Sequence, residues 1–421
     1  MPILLTQMSL YLYIRLIINL NMEEEDEGLI DHWFLLRNIS SGTQEAYRIS
    51  IRDYLEILGK TLTELIDEAE NEEDTGMRPR KRKVTRYLLK YKKHLEDKGI
   101  APGTLSVYMS AVRSFYKAFD ITLPEIKLDQ GDIGLEKNMG KRLTRSDLHK
   151  LISAANHRER ALIYLMSLTG MGQQEARDLK IKKLLNSSSV EIDVELENIY
   201  DLFKHESQIL KEVLTLEITR KKSKIRHHTF LPPEAAREML SYLKERCYGR
   251  NEKIRVKDND DYIFVNNIGN QLSRDSIVTN FRRIGQQAGF QKENGAYSFW
   301  RSHALRKYFI RNIINKTGEK IIADYMTGHK INKQDRTYWQ ANPDDLKQHY
   351  LKALPYLSID EAKVRDYTTK EFEAIMEDSK RQEEEMNKMK NQMKVMQEMI
   401  TPTLEKNSKI DKNAEFNLQK G

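Results

Sequence analysis

His303-Ala304-Leu305-Arg306, followed by Gly328-His329 and then Thr337-Tyr338-Trp339, is the stretch on which the reading of this chain turns. His303 and Arg306 stand three residues apart, the spacing that puts two side chains on one face of a helix. His329 follows a glycine, and Tyr338 comes nine residues after it. A phosphodiester that reacts with a tyrosine needs such parts: donors for its non-bridging oxygens, and an oxygen able to attack and later leave. Tyrosine is a poor nucleophile at its ordinary pKa of about 10, so cations must stand near its oxygen. Tyr350, in Gln348-His349-Tyr350, is the alternative nucleophile and fits the spacing less well.

Working upstream, Val213 to Thr219 alternates apolar and polar residues like a strand, and Ile225 to Leu231 returns as a second one. Arg220-Lys221-Lys222-Ser223-Lys224 makes a basic turn between them, and Pro232-Pro233-Glu234 opens a helix that runs to Tyr248. An insertion-like polar stretch, Asn186 to Gln208, lies before this hairpin. Thr144 and Asp147 form an approximate capping box, so a domain is expected over 143–359.

The preceding part reads as helices, with a domain expected over 37–125. Tyr47, Ile51, Tyr54, Leu55 and Leu58 recur at helical spacing, as do Leu105, Tyr108, Met109, Val112, Phe115 and Tyr116. The basic run Arg78 to Arg86 follows an acidic stretch, Asp67 to Asp74, and reads equally well as a solvated loop or linker and as a polyanion contact. Residues 126–142 carry three glycines and read as an interdomain linker.

At the ends, residues 1–36 form an N-terminal segment. Its first 21 residues are apolar but broken at Arg15, without the basic start or cleavage site of a signal peptide. Translation is expected to start at Met22, and peptides from 1–21 in the native protein would refute this. In 366–400, Phe372, Ile375, Ser379, Gln382, Met386, Met389, Met393, Met396 and Ile400 follow the 3-4 spacing of a coiled-coil seam. The polar remainder, 401–421, is expected to be disordered.

The chain has 421 residues, enough for two or three domains with real cores. Its formal net charge of +7 mildly favours a polyanionic partner over an acidic small molecule. Cys247 is the single cysteine. That excludes an internal disulfide and a cysteine-based zinc site, and it suits a reducing, cytoplasmic compartment.

These residues and their spacing resemble the tyrosine recombinase (phage-type integrase) family over about residues 40–358. Gly99-x-x-Pro102-x-Thr104, Tyr108 and Ser110-x-Val112-Arg113-x-Phe115-Tyr116 look like that family's helical core-binding (SAM-like) domain. Leu305-Arg306-Lys307-Tyr308-Phe309, Met326-x-Gly328-His329-Lys330 and Tyr350 to Leu357 look closest to integrases of archaea and their mobile elements. The resemblance implies a mainly α fold with a small β-sheet (α+β): a core-binding domain, a catalytic domain and a terminal coiled-coil helix. It implies site-specific cleavage and rejoining of DNA through a 3′-phosphotyrosyl link, with no metal, ATP or other cofactor. Tyr338 would be the nucleophile and Arg306 the bidentate phosphate ligand. His303 and His329 would donate to phosphoryl oxygens or move protons. Lys222, preferred to Lys221, would protonate the leaving 5′-oxygen. The implied partners are double-stranded DNA with inverted core sites and further copies of the chain, dimer to tetramer, with no membrane and no small-molecule substrate.

One box departs from the family. Thr169-Gly170-Met171-Gly172-Gln173-Gln174-Glu175-x-x-x-Leu179 looks like the first box, but its catalytic arginine should stand where this chain has Gly172. Arg177 lies five residues on, about 140° around a helix from the expected direction. Arg220, at the mouth of the hairpin, is the other substitute. If neither serves, the chain is a catalytically weakened, recombinase-derived DNA-binding protein. A topoisomerase of related chemistry is a remoter reading.

Overall fold

The computed structural model describes residues 26–128, 142–221, 223–291, 298–332 and 342–360, with a few isolated positions between 381 and 392. Lys222, Tyr338, the first 21 residues, most of the expected linker, nearly all of the heptad segment and the tail lie outside the described residues. The chain divides into two compact units, Met1–Met139 and Gly140–Gly421. The described residues are mainly helical with one small antiparallel sheet, the expected fold class.

The first unit is built from helical residues 26–36 (α1) and helices Ser41–Leu58 (α2), Leu62–Asp74 (α3), Lys83–Asp97 (α4) and Pro102–Ala118 (α5). Local signals set their ends. Thr61 and Glu64 form a full capping box at the start of α3, and Gly59 closes α2 in the left-handed conformation. Trp33, Ile51, Tyr54, Leu88, Tyr91, Met109, Phe115 and Tyr116 form the core. Residues 26–36, which the sequence reading left outside this domain, thus belong to it: Ile30, Trp33 and Phe34 are buried in the same cluster. Nor is the basic run a linker. It forms a short 3-10 turn, Pro79–Lys81, and the first turns of α4. Arg82 is buried against Glu73, and Lys83 pairs with Glu68 at 3.1 Å, so the acidic and basic stretches fold onto each other.

The second unit is organised around helix His157–Thr169 (α7), preceded by Arg145–Ser153 (α6). Asn156 and Glu159 cap α7, and every residue from Ala161 to Thr169 is buried. A helix apolar on all sides has to be surrounded. Here it packs on Gln173–Asp178 (α8), the strand Ile225–Leu231 (β2), Pro233–Tyr248 (α12) and Ser302–Thr317 (α14). Glu159 also grips Arg283 of Arg274–Gln287 (α13) at 2.5 Å. The polar stretch 186–208 folds into Ile181–Ile192 (α9), Ile199–Lys204 (α10) and the start of Glu206–Ile209 (α11), which bury Leu184, Leu185, Ile199, Leu202 and Ile209. The strands Leu214–Arg220 (β1) and β2 pair antiparallel, from Leu214 opposite Leu231 to Arg220 opposite Ile225. Helices Lys320–Met326 (α15) and Pro343–Leu357 (α16) follow α14.

Candidate active site

Three segments converge where α7 ends. The helix stops at Gly170, which has φ +69°, and a Cβ there would overlap the Phe309 ring of α14. The last carbonyls of a helix have no partner within it. Here they are taken by side chains from three other elements. Tyr350 of α16 donates to Leu168 O at 2.9 Å, Thr229 of β2 to Thr169 O at 2.5 Å, and Arg306 of α14 to Gly170 O at 2.8 Å.

Tyr350, the alternative nucleophile, is therefore a structural residue. It is fully buried, packs against Phe230 and Phe309, and its hydroxyl holds the end of α7.

Arg306 is buried, and burial pulls its pKa down to about 10 against the opposing pull of Glu175. Besides Gly170 O, it donates to Thr327 O, and its Nη2 lies 3.2 Å from Nε2 of His329. Among the described residues three of the five donors of the guanidinium are thus engaged, leaving two. A guanidinium has no acceptor, so Nε2 of His329 must accept. Nδ1 of His329 faces Asp324 Oδ1 at 2.8 Å and donates to it. Burial, and then the positive Arg306 and Arg220, keep His329 below its ordinary pKa, while Asp324 pulls it up. The result is a neutral imidazole with its lone pair in the site. His303, on the first turn of α14, is exposed. Partial desolvation, then Lys307, Arg301, Arg306 and His329, lower its pKa. Arg306 and His303 line a crevice of about 540 Å³ with Gly172, Arg274, Arg282 and Arg301.

Gly172 is the residue before α8, and its Cβ would lie 3.7 Å from Arg306 Nη1 while overlapping the Glu175 carboxylate. Position 172 therefore borders the site with no side chain to offer it. Arg177 does not replace one: its Nε donates to Leu272 O and its Nη1 to Gln174 Oε1. Arg220 does reach the site. Its Nε lies 3.3 Å from Glu175 Oε1, and its Nη1 donates to Gly328 O at 3.2 Å. Lys221, beside Lys222 in the turn, is mostly exposed and pairs with Asp178 at 2.8 Å.

Two site residues escaped the sequence reading. Asp324, which orients His329, lies five residues before it, across the end of α15. His227 occupies an inward position of β2 beside Gly328, where a Cβ on that glycine would press into its ring. Burial pushes His227 down to about 4, and its Nδ1 has no hydrogen-bond partner among the described residues. The alternation of β2, with residues 227, 229 and 231 buried, was the available signal.

Residues 141–344 match the Phage integrase family. The chain is 21% identical over 323 residues to tyrosine recombinase XerA of Saccharolobus solfataricus, covering 76% of this chain and 89% of that protein. It is 22% identical over 267 residues to tyrosine recombinase XerC of Lactobacillus leichmannii, covering 61% and 78%. Among solved structures it is similar to a lambda integrase dimer bound to a COC′ core site, at 15% identity and a TM-score of 0.45, covering 74% of this chain and 76% of that one. Residues 141–344 thus carry a tyrosine recombinase (phage integrase) family domain.

Proposed function

We propose that this tyrosine-type recombinase cleaves and rejoins double-stranded DNA at a specific site through Tyr338. The observation that carries the proposal is the Arg306–His329 pair: a buried guanidinium with two donors unspent among the described residues, beside an imidazole whose acceptor nitrogen is set by Asp324. The Tyr338 hydroxyl attacks phosphorus, its proton goes to a base such as Nε2 of His329, and the 5′-oxygen leaves with a proton from Lys222. This forms a 3′-phosphotyrosyl ester and a free 5′-hydroxyl, and a second 5′-hydroxyl reverses the step. Bond energy stays in the ester, so the cycle needs neither metal nor ATP. Arg306 donates to a non-bridging oxygen from the donors that it keeps on Nη1 and Nε, and His303 faces the phosphate from the exposed rim. The partners are DNA with inverted core sites and further copies of the chain, dimer to tetramer, in a reducing cytoplasmic compartment.

Covalent trapping tests the reading. The protein and a Tyr338→Phe control are mixed with DNA from the source organism and its mobile elements, quenched with SDS, and assayed for protein-linked DNA. Adducts that depend on Tyr338 are expected, and sequencing them gives the site. DNA binding without adducts from either protein, even on nicked substrates, would favour a binding protein that no longer cuts.

A further inference from the structure

We propose that Arg220 is the second phosphate-binding cation of this site, supplying from the hairpin the charge that position 172 does not. The inference rests on the cleavage reading above. In-line attack on a phosphodiester builds negative charge on two non-bridging oxygens, and a second cation beside them adds transition-state stabilisation. Arg306 is the first cation. Arg220 is bound to the same turn: its Nη1 holds Gly328 O, Arg306 holds Thr327 O, and His329, which follows, touches Arg306.

Glu175 fixes the direction of Arg220. Its carboxylate is buried and lies 3.3 Å from Arg220 Nε, on the edge of the fork opposite the Gly328 contact. A Cβ at 172 would meet only the movable end of the Glu175 side chain. Nη2 of Arg220 makes no hydrogen bond among the described residues, and the side chain is 23% exposed, so the held guanidinium keeps donors for a ligand. Arg177, the other arginine near the box, is turned toward Leu272 O and Gln174 Oε1.

The test is single-turnover cleavage on the target recovered by trapping, comparing wild type with Arg220→Ala, Arg220→Lys and Arg177→Ala. Arg220→Ala is expected to cleave about 10²–10³-fold more slowly, the loss typical for removing one such donor. Arg220→Lys should fall between, and Arg177→Ala should stay within a few-fold of wild type. A second substrate carries an uncharged methylphosphonate at the scissile position. There the deficit of both Arg220 variants should shrink, because the charge they failed to neutralise is gone. A purely structural arginine would give the same deficit on both substrates, and that result overturns the proposal. So does wild-type cleavage by Arg220→Ala. If Arg220→Ala does not fold, the ratio of the two substrates for Arg220→Lys decides in the same way. A wild-type protein that forms no adduct overturns the cleavage reading itself, and this role with it.

Discussion

Nε2 of His329 lies 3.2 Å from Nη2 of Arg306, and Nδ1 of the same ring lies 2.8 Å from Asp324. Because arginine only donates, this pair of contacts fixes which nitrogen of His329 carries the proton. The lone pair is thereby kept on the side where Arg306 stands.

Asp324→Asn should therefore damage cleavage without removing any group that touches DNA. The amide NH₂ would compete for Nδ1 and favour the tautomer with a proton on Nε2, facing a guanidinium that cannot accept it. Cleavage is expected to fall by about 10²-fold, within the range that positioned acid–base groups contribute. Loss of the carboxylate also removes the attraction that raises the His329 pKa, so the acid limb of the pH–rate profile should move to lower pH. An unchanged rate and profile would show that Asp324 does not set the tautomer.

Tyr350→Phe separates the two tyrosines that the sequence offered as nucleophiles. Tyr350 is buried and bonded to Leu168 O, so the variant should keep full covalent trapping while Tyr338→Phe loses it. The carbonyl it abandons is buried, and the expected stability loss is about 1–2 kcal/mol by urea denaturation. Loss of adduct by a folded Tyr350→Phe protein would transfer the nucleophile to Tyr350.

What was legible in the sequence was what local chemistry encodes. The capping box of α6, the hairpin, and the pairing of His303 with Arg306 on one helix all follow from residues within a few positions of one another. What stayed hidden depends on distant partners. Tyr350 is a core residue because Phe230, Phe309 and Leu168 surround it, and none of these is near it in sequence. Arg220 and Arg177 look alike as residue types, and only the turn at Gly328 and the carbonyl of Leu272 distinguish them. Residues 26–36 were hidden by their acidic flank, since Trp33 declares itself only against Phe115 and Tyr47.

Gly170→Ala should be among the most damaging small substitutions in the second unit. The backbone at φ +69° disfavours any side chain by about 1 kcal/mol, and the added methyl would also overlap Phe309. Overpacking of this kind costs about 1–3 kcal/mol more. Because Gly170 O also anchors Arg306, cleavage should fall together with stability. Thermal melting and trapping, run in parallel, check both, and a variant that melts with wild type would show that Phe309 can move aside.

His227 should make the second unit acid-sensitive. Its folded pKa lies at about 4, against an unfolded value near 6.5, so below 6.5 the unfolded chain takes up a proton that the native protein refuses. The stability tied to the neutral ring is thus fully present above pH 6.5 and is lost progressively as pH falls toward 4. The full loss is on the order of 3 kcal/mol. His228, His303, His329 and His349 are depressed in the same direction, so the measurement has to be a difference between proteins. Urea denaturation at pH 7.5 and pH 4.5 should show a smaller acid loss in His227→Leu than in wild type. Equal losses in the two proteins would place the acid sensitivity in the other histidines or in carboxylates, and would mean that the buried Nδ1 of His227 accepts a proton as readily in the native protein as in the unfolded chain.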